Sequence, residues 1–295
     1  MATNQQRREA AKRKLERQMA RRAERAKRRR IVAVVATAGA VVVVAGLVIF
    51  LVTRERADPN AAPDPNQDPA AQSSSAPTPP PPDPIPTERA PMPQRPQALA
   101  DPVSCEYPAS QGEPASKPVT PPAAGQVSSK GTVNATIKTT AGDIPVTLDR
   151  GLAPCTVNSF VHLAKAGFYT DTSCHRLGVS GLQMLQCGDP QGTGMGGPGY
   201  TIKDENFPEL KYGRGILAMA KTQAPNSGGS QFFMVFGKAE LPPDYTVFGS
   251  ISDAGLQVLD KVAKDGIDPA SMAESMDGTG KPKTPVKFTA ISVEG

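Results

Sequence analysis

At 295 residues the chain is long enough for one or two domains, yet 31 residues are proline and only 5% are aromatic. Its net charge of +5 is local, because residues 1–30 carry +10 and the remaining residues sum to −5. These values exclude a protein that is basic throughout, and they indicate a mixture of a segment that cannot fold compactly with an ordinary globular one.

The N-terminal segment combines a basic tail with an apolar stretch. Residues 1–30 hold 13 lysines and arginines against three glutamates, and residues 31–53 follow as 23 residues without a charge. At about 1.5 Å per residue, such a helix spans the roughly 30 Å hydrocarbon core of a bilayer. The sequence therefore predicts a transmembrane helix over 31–53, a cytoplasmic tail over 1–30, and export of everything that follows.

Two other interpretations of this region are weaker. A cleaved signal peptide has an apolar core of roughly 7–15 residues followed by a small-residue cleavage site, and neither feature fits residues 31–53. Nucleic-acid binding by the basic tail is the second alternative, but such tails usually set membrane topology and contact anionic lipid headgroups. We therefore expect a single-pass anchor in the cell membrane and no nucleic acid among the partners.

Residues 54–102 are dominated by proline, alanine, serine and aspartate, with almost no large apolar side chains. This composition predicts a disordered, semi-rigid linker with polyproline II character. A spacer that holds a domain away from the membrane is the favoured function. A docking site for proline-binding modules is the alternative.

The residue pattern changes in the remaining chain, which we predict to be one domain over 103–295 with an N-terminal arm over 103–130. From Thr132 onward, short alternating runs such as TVNATIKT and IPVTLD are separated by turn residues, here Ala141-Gly142-Asp143. About eight such runs and two helical patterns predict a mainly β fold, a closed antiparallel eight-stranded barrel capped by two helices.

The two helices are predicted from their periodicity and end signals. The first covers PCTVNSFVHLAKAGFY, with Thr156 as the N-cap and Gly167 where the helix should stop. The second covers GLQVLDKVA, with Asp253 as the N-cap and Gly266 beyond its end.

Four cysteines are present, and an exported domain with an even number should oxidise them. Four cysteines allow three pairings. Cys174 and Cys187 lie on consecutive strand candidates, so they can face each other across a hairpin, which leaves Cys105 to pair with Cys155. Zinc is disfavoured, because no two cysteines have metal-ligand spacing.

Most enzyme signatures are absent, including a phosphate-binding lysine loop and a nucleophile elbow, and the glycine-rich run 192–199 reads as a tight loop. Seven short motifs nevertheless occur in an order that resembles the cyclophilins, from about Gly131 to Gly295. They are Cys-His-Arg-Leu (174–177), Gln-Cys-Gly-Asp (186–189), Gly-Thr-Gly (192–194), Asp-Glu-Asn-Phe (204–207), Gly-Ile-Leu-Ala-Met-Ala (215–220), Gly-Ser-Gln-Phe-Phe (229–233) and Val-Phe-Gly (247–249).

The resemblance implies a role for individual residues. Arg176 falls on the family's catalytic arginine. Gln186 and Gln231 fall on glutamines that would orient its guanidinium or bind substrate. Ala220 and Lys221 fall where the family holds the substrate backbone in extended form.

A pocket for the proline ring is implied in the same way. Phe233 falls on its second Gln-Phe-Phe phenylalanine and Met184 on its methionine. Leu241 stands near the position of a family tryptophan, which this chain lacks, and Tyr245 replaces a histidine while its ring can still close the pocket.

The chain also departs from the family between Arg176 and Gln186. Two additional residues fall within 178–181, and the usual pocket phenylalanine becomes Gln183, or Leu182 if the insertion falls differently.

The resemblance implies a peptidyl-prolyl cis-trans isomerase that assists the folding of exported proteins. It would act as a monomer on proline-containing polypeptides, without a cofactor or metal. A non-catalytic proline-binding scaffold or chaperone that uses the same groove is the alternative.

Overall fold

Ten strands and three helices form the part of the chain that the computed structural model describes, residues 82–110, 114–275 and 277–294. All of these residues belong to one compact unit. The strands are β1 (Val103–Cys105), β2 (Gly125–Val127), β3 (Thr132–Thr139), β4 (Gly142–Asp149), β5 (Arg176–Gly178), β6 (Leu182–Cys187), β7 (Ile216–Met219), β8 (Phe232–Ala239), β9 (Val247–Ile251) and β10 (Phe288–Val293). The helices are α1 (Pro154–Lys165), α2 (Asp253–Asp265) and α3 (Pro269–Ala273).

Eight of the strands form one curled antiparallel sheet in the order β10-β3-β4-β9-β7-β8-β6-β5, and β1 pairs separately with β2. β3 alternates buried and exposed residues along most of its length, as a half-buried strand should. It returns into β4 at the predicted turn, where Gly142 has a φ of 130° that favours glycine. The predicted mainly β, eight-stranded antiparallel architecture is confirmed.

The predicted closure of the barrel is wrong. Among the described residues, β5 and β10 are the two edges of the sheet and do not pair with each other. β5 has only three residues, and an isolated bridge joins Leu177 at its centre to Gly280. An irregular segment around Gly280 therefore lies where β5 would need a full strand partner, so the sheet forms an open half-barrel.

Five aromatic side chains form the centre of the core and join α1 to the sheet. The Phe160 ring of α1 lies 5.3 Å from those of Tyr169 and Phe232 and 5.5 Å from that of Phe248, measured between centroids. Phe232 also stacks on Phe288 of β10 at 6.0 Å. All five are buried, and each removes a large apolar area from water.

The N-terminus of α1 is capped by a residue distant in the chain. Thr156 is not the N-cap that the sequence predicts: the N-cap is Ala153, whose side chain makes no capping bond. Glu205 instead accepts hydrogen bonds from the backbone N–H groups of Cys155 and Thr156, at 3.0 and 2.8 Å, and from the Thr156 hydroxyl at 2.7 Å. A carboxylate suits this position because the first N–H groups of a helix lack internal partners. Gly167 follows the helix with a φ of 67°, where the predicted stop lies.

α2 begins one residue earlier than predicted at its N-cap. Ser252, not Asp253, is the N-cap, and its hydroxyl accepts from the N–H of Gly255 at 3.1 Å. Asp253 is the first helical residue, where a negative charge complements the helix dipole. Gly266 ends the helix with a φ of 88°, as the sequence predicts.

Both predicted disulfides are present. Cys105–Cys155 joins β1 to α1, and Cys174–Cys187 joins the residue two before β5 to the last residue of β6. No cysteine in the chain is left unpaired. The second bond therefore ties the base of the hairpin formed by β5 and β6.

Residues 82–102, which the sequence assigns to the disordered linker, pack against the domain, and we call them the strap. The Arg95 guanidinium donates to the carbonyl of Leu152 at 2.7 and 3.0 Å and to that of Glu205 at 2.7 Å. It also lies 4.9 Å above the Phe207 ring. Proline-rich composition hides these few specific contacts, so the linker boundary at residue 102 needs correction.

Several sequence predictions lie outside the described residues, namely the basic tail 1–30, the span 31–53 and the linker up to residue 81. Across the three described ranges, no helix combines the length and apolar character required to cross a membrane.

Candidate active site

Three neighbouring strands align the side chains that the sequence singles out. Arg176 of β5 lies opposite Gln186 of β6, and Gln186 lies opposite Phe233 of β8. Residues opposite one another in a sheet point to the same face, so these three side chains form a row. Met184 lies two residues before Gln186 on the same strand and shares that face. The structure thus brings together the predicted catalytic arginine, a glutamine and two pocket residues.

The Arg176 guanidinium is held from three directions. Its Nε donates to the Thr279 hydroxyl at 2.9 Å, and its Nη1 donates to Gln186 Oε1 at 3.3 Å. Its Nη2 forms an ion pair with the Asp277 carboxylate at 2.6 Å. The side chain remains 35% exposed, so it is fixed in place and still accessible from solvent.

Asp277 is the anion that fixes this arginine. Its Oδ1 accepts hydrogen bonds from the hydroxyls of Ser275 and Thr279, at 2.5 and 2.6 Å, and from the Thr279 N–H at 3.0 Å. Burial raises the pKa of Asp277, but these hydrogen bonds, together with Arg176, outweigh it and hold the pKa well below its usual value. Asp277 and Thr279 cannot be predicted as site residues from the sequence, because Asp-Gly-Thr carries only a turn signal.

Two glutamines continue the polar network away from Arg176. Gln186 Nε2 donates to Gln231 Oε1 at 2.9 Å, and Gln231 Nε2 donates to the carbonyls of Gly194 and Gly196, both at 2.9 Å. Each side-chain amide therefore uses both its donor and its acceptor. The network fixes the orientation of Gln186, whose Oε1 receives the bond from Arg176.

The glycine-rich run 192–199 is the tight loop that the sequence predicts. The buried Asp189 carboxylate accepts from the N–H groups of Gln191, Thr193 and Gly194 at 2.7–2.8 Å. Burial raises the pKa of Asp189, but the hydrogen bonds it accepts bring it below its ordinary value. The loop therefore presents its carbonyls to Gln231 from a fixed backbone.

An apolar pocket is built around Phe233, which is 5% exposed. The Tyr245 ring packs edge-on against it with centroids 5.5 Å apart, and the Tyr212 ring lies 6.4 Å away. Met184 is buried on the same face of the sheet, and Leu241 packs partly buried against the core. The predicted pocket residues Phe233, Met184 and Tyr245 thus lie around one small area of the surface.

Tyr212 is a pocket residue that could not be predicted from the sequence. Its hydroxyl donates to the carbonyl of Tyr245 at 2.8 Å and accepts from the N–H of the same residue at 2.9 Å. Burial raises the pKa of Tyr212 to about 12, so the hydroxyl keeps the proton that it donates. A single tyrosine in a short loop has no periodic pattern, and therefore gave no signal.

Ala220 and Lys221 follow β7 at the edge of this region. The Ala220 N–H donates to the carbonyl of Gln231 at 2.9 Å, which keeps the two segments side by side. The Lys221 ammonium lies 3.6 Å from the Asp204 carboxylate, and its side chain is 12% exposed. Because the ammonium is paired with Asp204, the backbone of Lys221, rather than its charge, is available to hold the substrate backbone as the resemblance implies.

Gln183 does not occupy the position of the missing pocket phenylalanine. Its side chain is buried, with Oε1 accepting from the Lys238 N–H at 2.8 Å and Nε2 donating to the Asp83 carbonyl at 3.0 Å. It therefore binds β8 and the strap. Leu182, the alternative, is partly buried at the start of β6.

A cavity of about 380 Å³ lies on the other side of the arginine. His175, Arg176 and Gln186 line one wall, and residues from 271–281 line the other. Burial lowers the pKa of His175, partly opposed by the charge of Asp189, so the imidazole is neutral at neutral pH. Arg176 therefore carries the positive charge of this wall.

Comparison with known proteins places these residues in a family. The model of the family "Cyclophilin type peptidyl-prolyl cis-trans isomerase/CLD" matches residues 134–293. A probable peptidyl-prolyl cis-trans isomerase B of Mycobacterium leprae is 45% identical over 206 residues, which cover 65% of this chain and 67% of that protein. Its Mycobacterium tuberculosis H37Rv counterpart is also 45% identical, over 65% of this chain and 64% of the relative.

Shorter relatives are matched over more of their length. A peptidyl-prolyl cis-trans isomerase of Helicobacter pylori is 45% identical over 46% of this chain and 83% of its own. A solved cyclophilin-type isomerase of Cryptosporidium parvum is 32% identical, with a TM-score of 0.48, over 56% of this chain and 99% of its own. The chain therefore spans about two thirds of the length of these two mycobacterial relatives, 83% of the Helicobacter one and 99% of the Cryptosporidium one.

Proposed function

The chain belongs to the cyclophilin-type peptidyl-prolyl cis-trans isomerases, enzymes that rotate X-Pro bonds, and from that premise we propose that it acts on exported proteins with Arg176 as its catalytic residue. The observation that carries the assignment of Arg176 is the row that it forms with Gln186 and Phe233 across three strands. One end of this row is a fixed cation and the other is an apolar pocket.

The barrier to be lowered comes from amide resonance. Rotation about the X-Pro bond costs about 18–20 kcal/mol, whereas a turnover of about 10³ s⁻¹ requires a barrier near 13 kcal/mol. The site must therefore stabilise the transition state by about 5–7 kcal/mol relative to bound substrate.

Arg176 supplies part of this stabilisation. In the twisted transition state the imide nitrogen becomes pyramidal and its lone pair can accept a hydrogen bond, which the planar ground state cannot do. A guanidinium fixed beside that nitrogen binds the twisted state better than the planar one. One charge-assisted hydrogen bond is worth about 1.5–3 kcal/mol, so the remainder comes from the surroundings.

The pocket residues contribute by excluding water and gripping the ring. Phe233, Met184 and Tyr245 present apolar surface to the proline, while Leu241 extends it. A drier site strengthens the bond from Arg176. The proline ring is then held still while the carbonyl of the preceding residue rotates. No bond is made or broken, so the reaction needs no nucleophile.

Replacing the arginine tests this assignment. In the full chain, purified in detergent, Arg176→Ala should lower kcat about 10- to 150-fold on a proline-containing test peptide, which corresponds to losing one charge-assisted hydrogen bond. Peptide affinity should stay within a few-fold. Arg176→Lys is the matched variant, which keeps the charge and loses the fork that contacts Thr279 and Asp277. Unchanged turnover in Arg176→Ala would remove the residue from its role.

The second candidate function is a non-catalytic scaffold or chaperone that binds proline-containing segments in the same groove. One observation favours it: the sequence position at which the resemblance expects a pocket phenylalanine carries Gln183, whose side chain binds the strap and β8 and so leaves the pocket without that ring. Peptide binding by the wild-type chain without any turnover would support the scaffold over the enzyme.

We further propose that the protein is a monomer anchored by residues 31–53, with its domain outside the cytoplasm. The basic run before the apolar segment supports this orientation, and two disulfides suit an oxidising compartment. Protease added to intact cells or spheroplasts should digest the domain and spare the N-terminal tail. Light scattering on the detergent-purified chain measures its oligomeric state.

A further inference from the structure

The strap begins on the loop that joins the two strands carrying Arg176, Met184 and Gln186. The Asp83 carboxylate accepts from the Gly181 N–H at 2.7 Å, and its own N–H donates to the Val179 carbonyl at 3.1 Å. A single strap residue thus holds the tip of the β5–β6 hairpin, within the segment where this chain departs from its family.

Gln183 extends this attachment into the sheet. Its Nε2 donates to the Asp83 carbonyl at 3.0 Å and its Oε1 accepts from the Lys238 N–H of β8 at 2.8 Å. The Nε2 group also donates to the carbonyls of Val179 at 3.4 Å and Pro84 at 3.5 Å, so this buried amide is satisfied by the hairpin tip and the strap together. Gly237 makes room for it, since a Cβ at that position would collide with Gln183 Oε1. The strap and β8 are therefore linked through one buried amide.

The hairpin needs such an attachment because of its place in the sheet. β5 is the edge strand and has three residues, so it has a ladder partner on one side only. The Cys174–Cys187 disulfide fixes the base of the hairpin, and the bridge to Gly280 fixes the middle. The tip is fixed by Asp83. Misplacing a catalytic group by about 1 Å can cost up to about a hundredfold in rate, so the tip contact bears on turnover.

Two arginines fasten the strap itself to distant parts of the core. Arg89 pairs with Asp253 at 2.8 Å and donates to the Ile251 carbonyl at 2.6 Å. Arg95 donates to the Leu152 and Glu205 carbonyls. The strap is therefore attached to the core at several points along its length. These attachments keep Asp83 in contact with the hairpin tip.

We propose that Asp83 of the strap is a positioning residue, which fixes the hairpin so that Arg176 stays aligned with Phe233. This inference rests on the proposed isomerase function. It adds the described strap to the functional domain, which the sequence predicts to begin at residue 103.

Substitutions at Asp83 in the full chain test the proposal. Asp83→Ala should lower kcat about three- to tenfold through misalignment, with KM within about twofold, because the pocket itself is unchanged. Asp83→Asn keeps an acceptor oxygen for the Gly181 N–H and should recover most of the activity. Glu88→Ala is the matched control, since Glu88 is an exposed acidic residue of the same strap, and it should behave as wild type.

Hydrogen exchange separates positioning from general destabilisation. In Asp83→Ala, amides of 176–187 should lose protection while those of β3 and β4 keep it, and the melting temperature should change little. Wild-type kcat in Asp83→Ala, or a lower kcat without faster exchange in 176–187, would overturn the proposal. If wild type shows no turnover, the isomerase assignment fails, and exchange alone still decides whether Asp83 holds the hairpin.

Discussion

Arg176 uses three of its five N–H groups to contact Thr279, Gln186 and Asp277. One N–H on each terminal nitrogen remains for a substrate. This division explains how a side chain that is 35% exposed can act from a fixed position. An arginine tethered only at its Cα would lose rotamer entropy each time it approached the twisted imide.

Asp277 is therefore expected to raise turnover by holding the guanidinium. Asp277→Asn keeps the shape and an acceptor oxygen but removes the charge. Because the ion pair is partly exposed, its contribution is about 1 kcal/mol or less, so kcat should fall up to about fivefold with KM nearly unchanged. Steady-state kinetics on a proline peptide measures the split. A rise in KM alone would place Asp277 in substrate binding instead.

The pH dependence of this contact follows from the lowered pKa of Asp277. A carboxyl whose folded pKa is depressed contributes stability above its unfolded pKa, near about 4, and loses it as the pH falls through the folded pKa. Between about pH 5 and 8 the Asp277 carboxylate stays ionised, so its titration should leave no step in kcat over that range.

At the scale of single residues, the motifs predicted side chains that lie together in the structure, but not the residues that hold them in place. Arg176, Gln186, Gln231 and Phe233 stand in short ordered motifs, and the structure brings them together. Asp277 contacts Arg176 from a hundred residues away in the chain. Such a pair is created by tertiary packing, and no local pattern of residue types predicts it.

At the scale of secondary structure, the N-terminus of α1 depends on Glu205 rather than on a local cap. Glu205→Ala would leave the N–H groups of Cys155 and Thr156 without their partner inside the protein. We expect a loss of about 2–3 kcal/mol in the free energy of unfolding. Glu205→Gln, which keeps one acceptor oxygen, should lose less. Urea denaturation of the full chain measures both, and equal loss in the two variants would contradict the capping role.

Helices and strands with a strong local residue pattern could be predicted. Features that depend on contacts between residues distant in the chain could not. β3 and β4 follow from alternation around a glycine turn, and α1 and α2 from apolar periodicity. The N-caps were each misassigned, because a distant carboxylate or a neighbouring serine can satisfy the same N–H groups. The contacts of the strap 82–102 could not be predicted from its proline-rich composition, since a few charged side chains, among them Arg89, Arg95 and Asp83, make them.

At the scale of the whole molecule, the two disulfides stabilise different parts of the domain. Cys105–Cys155 closes a loop with a sequence separation of 50, and Cys174–Cys187 one of 13. Loop-closure entropy predicts contributions of about 4 and 3 kcal/mol respectively. The longer link secures the N-terminal arm, while the shorter one lies beside Arg176 and Gln186.

Removing each link separately should therefore give different results. Cys105→Ser with Cys155→Ser should lower the melting temperature more, with kcat changed little because β5 and β6 keep their own bond. Cys174→Ser with Cys187→Ser should lower kcat more than its effect on melting temperature suggests. Thermal unfolding and kinetics on both double variants, with reduced wild type as reference, provide the comparison. An identical effect of both pairs on kcat would contradict this division.

The contacts that Asp277 and Thr279 make with Arg176 have a consequence for biosynthesis, because both residues are made about a hundred residues after the arginine that they hold. A nascent chain can form the β5–β6 hairpin and the apolar pocket while its arginine still lacks the anion that orients it. Premature termination before residue 277 would release a product that keeps every family motif but lacks β10 and the residues that anchor the guanidinium. The enzyme would then acquire full competence only after residues 277–279 have been translated.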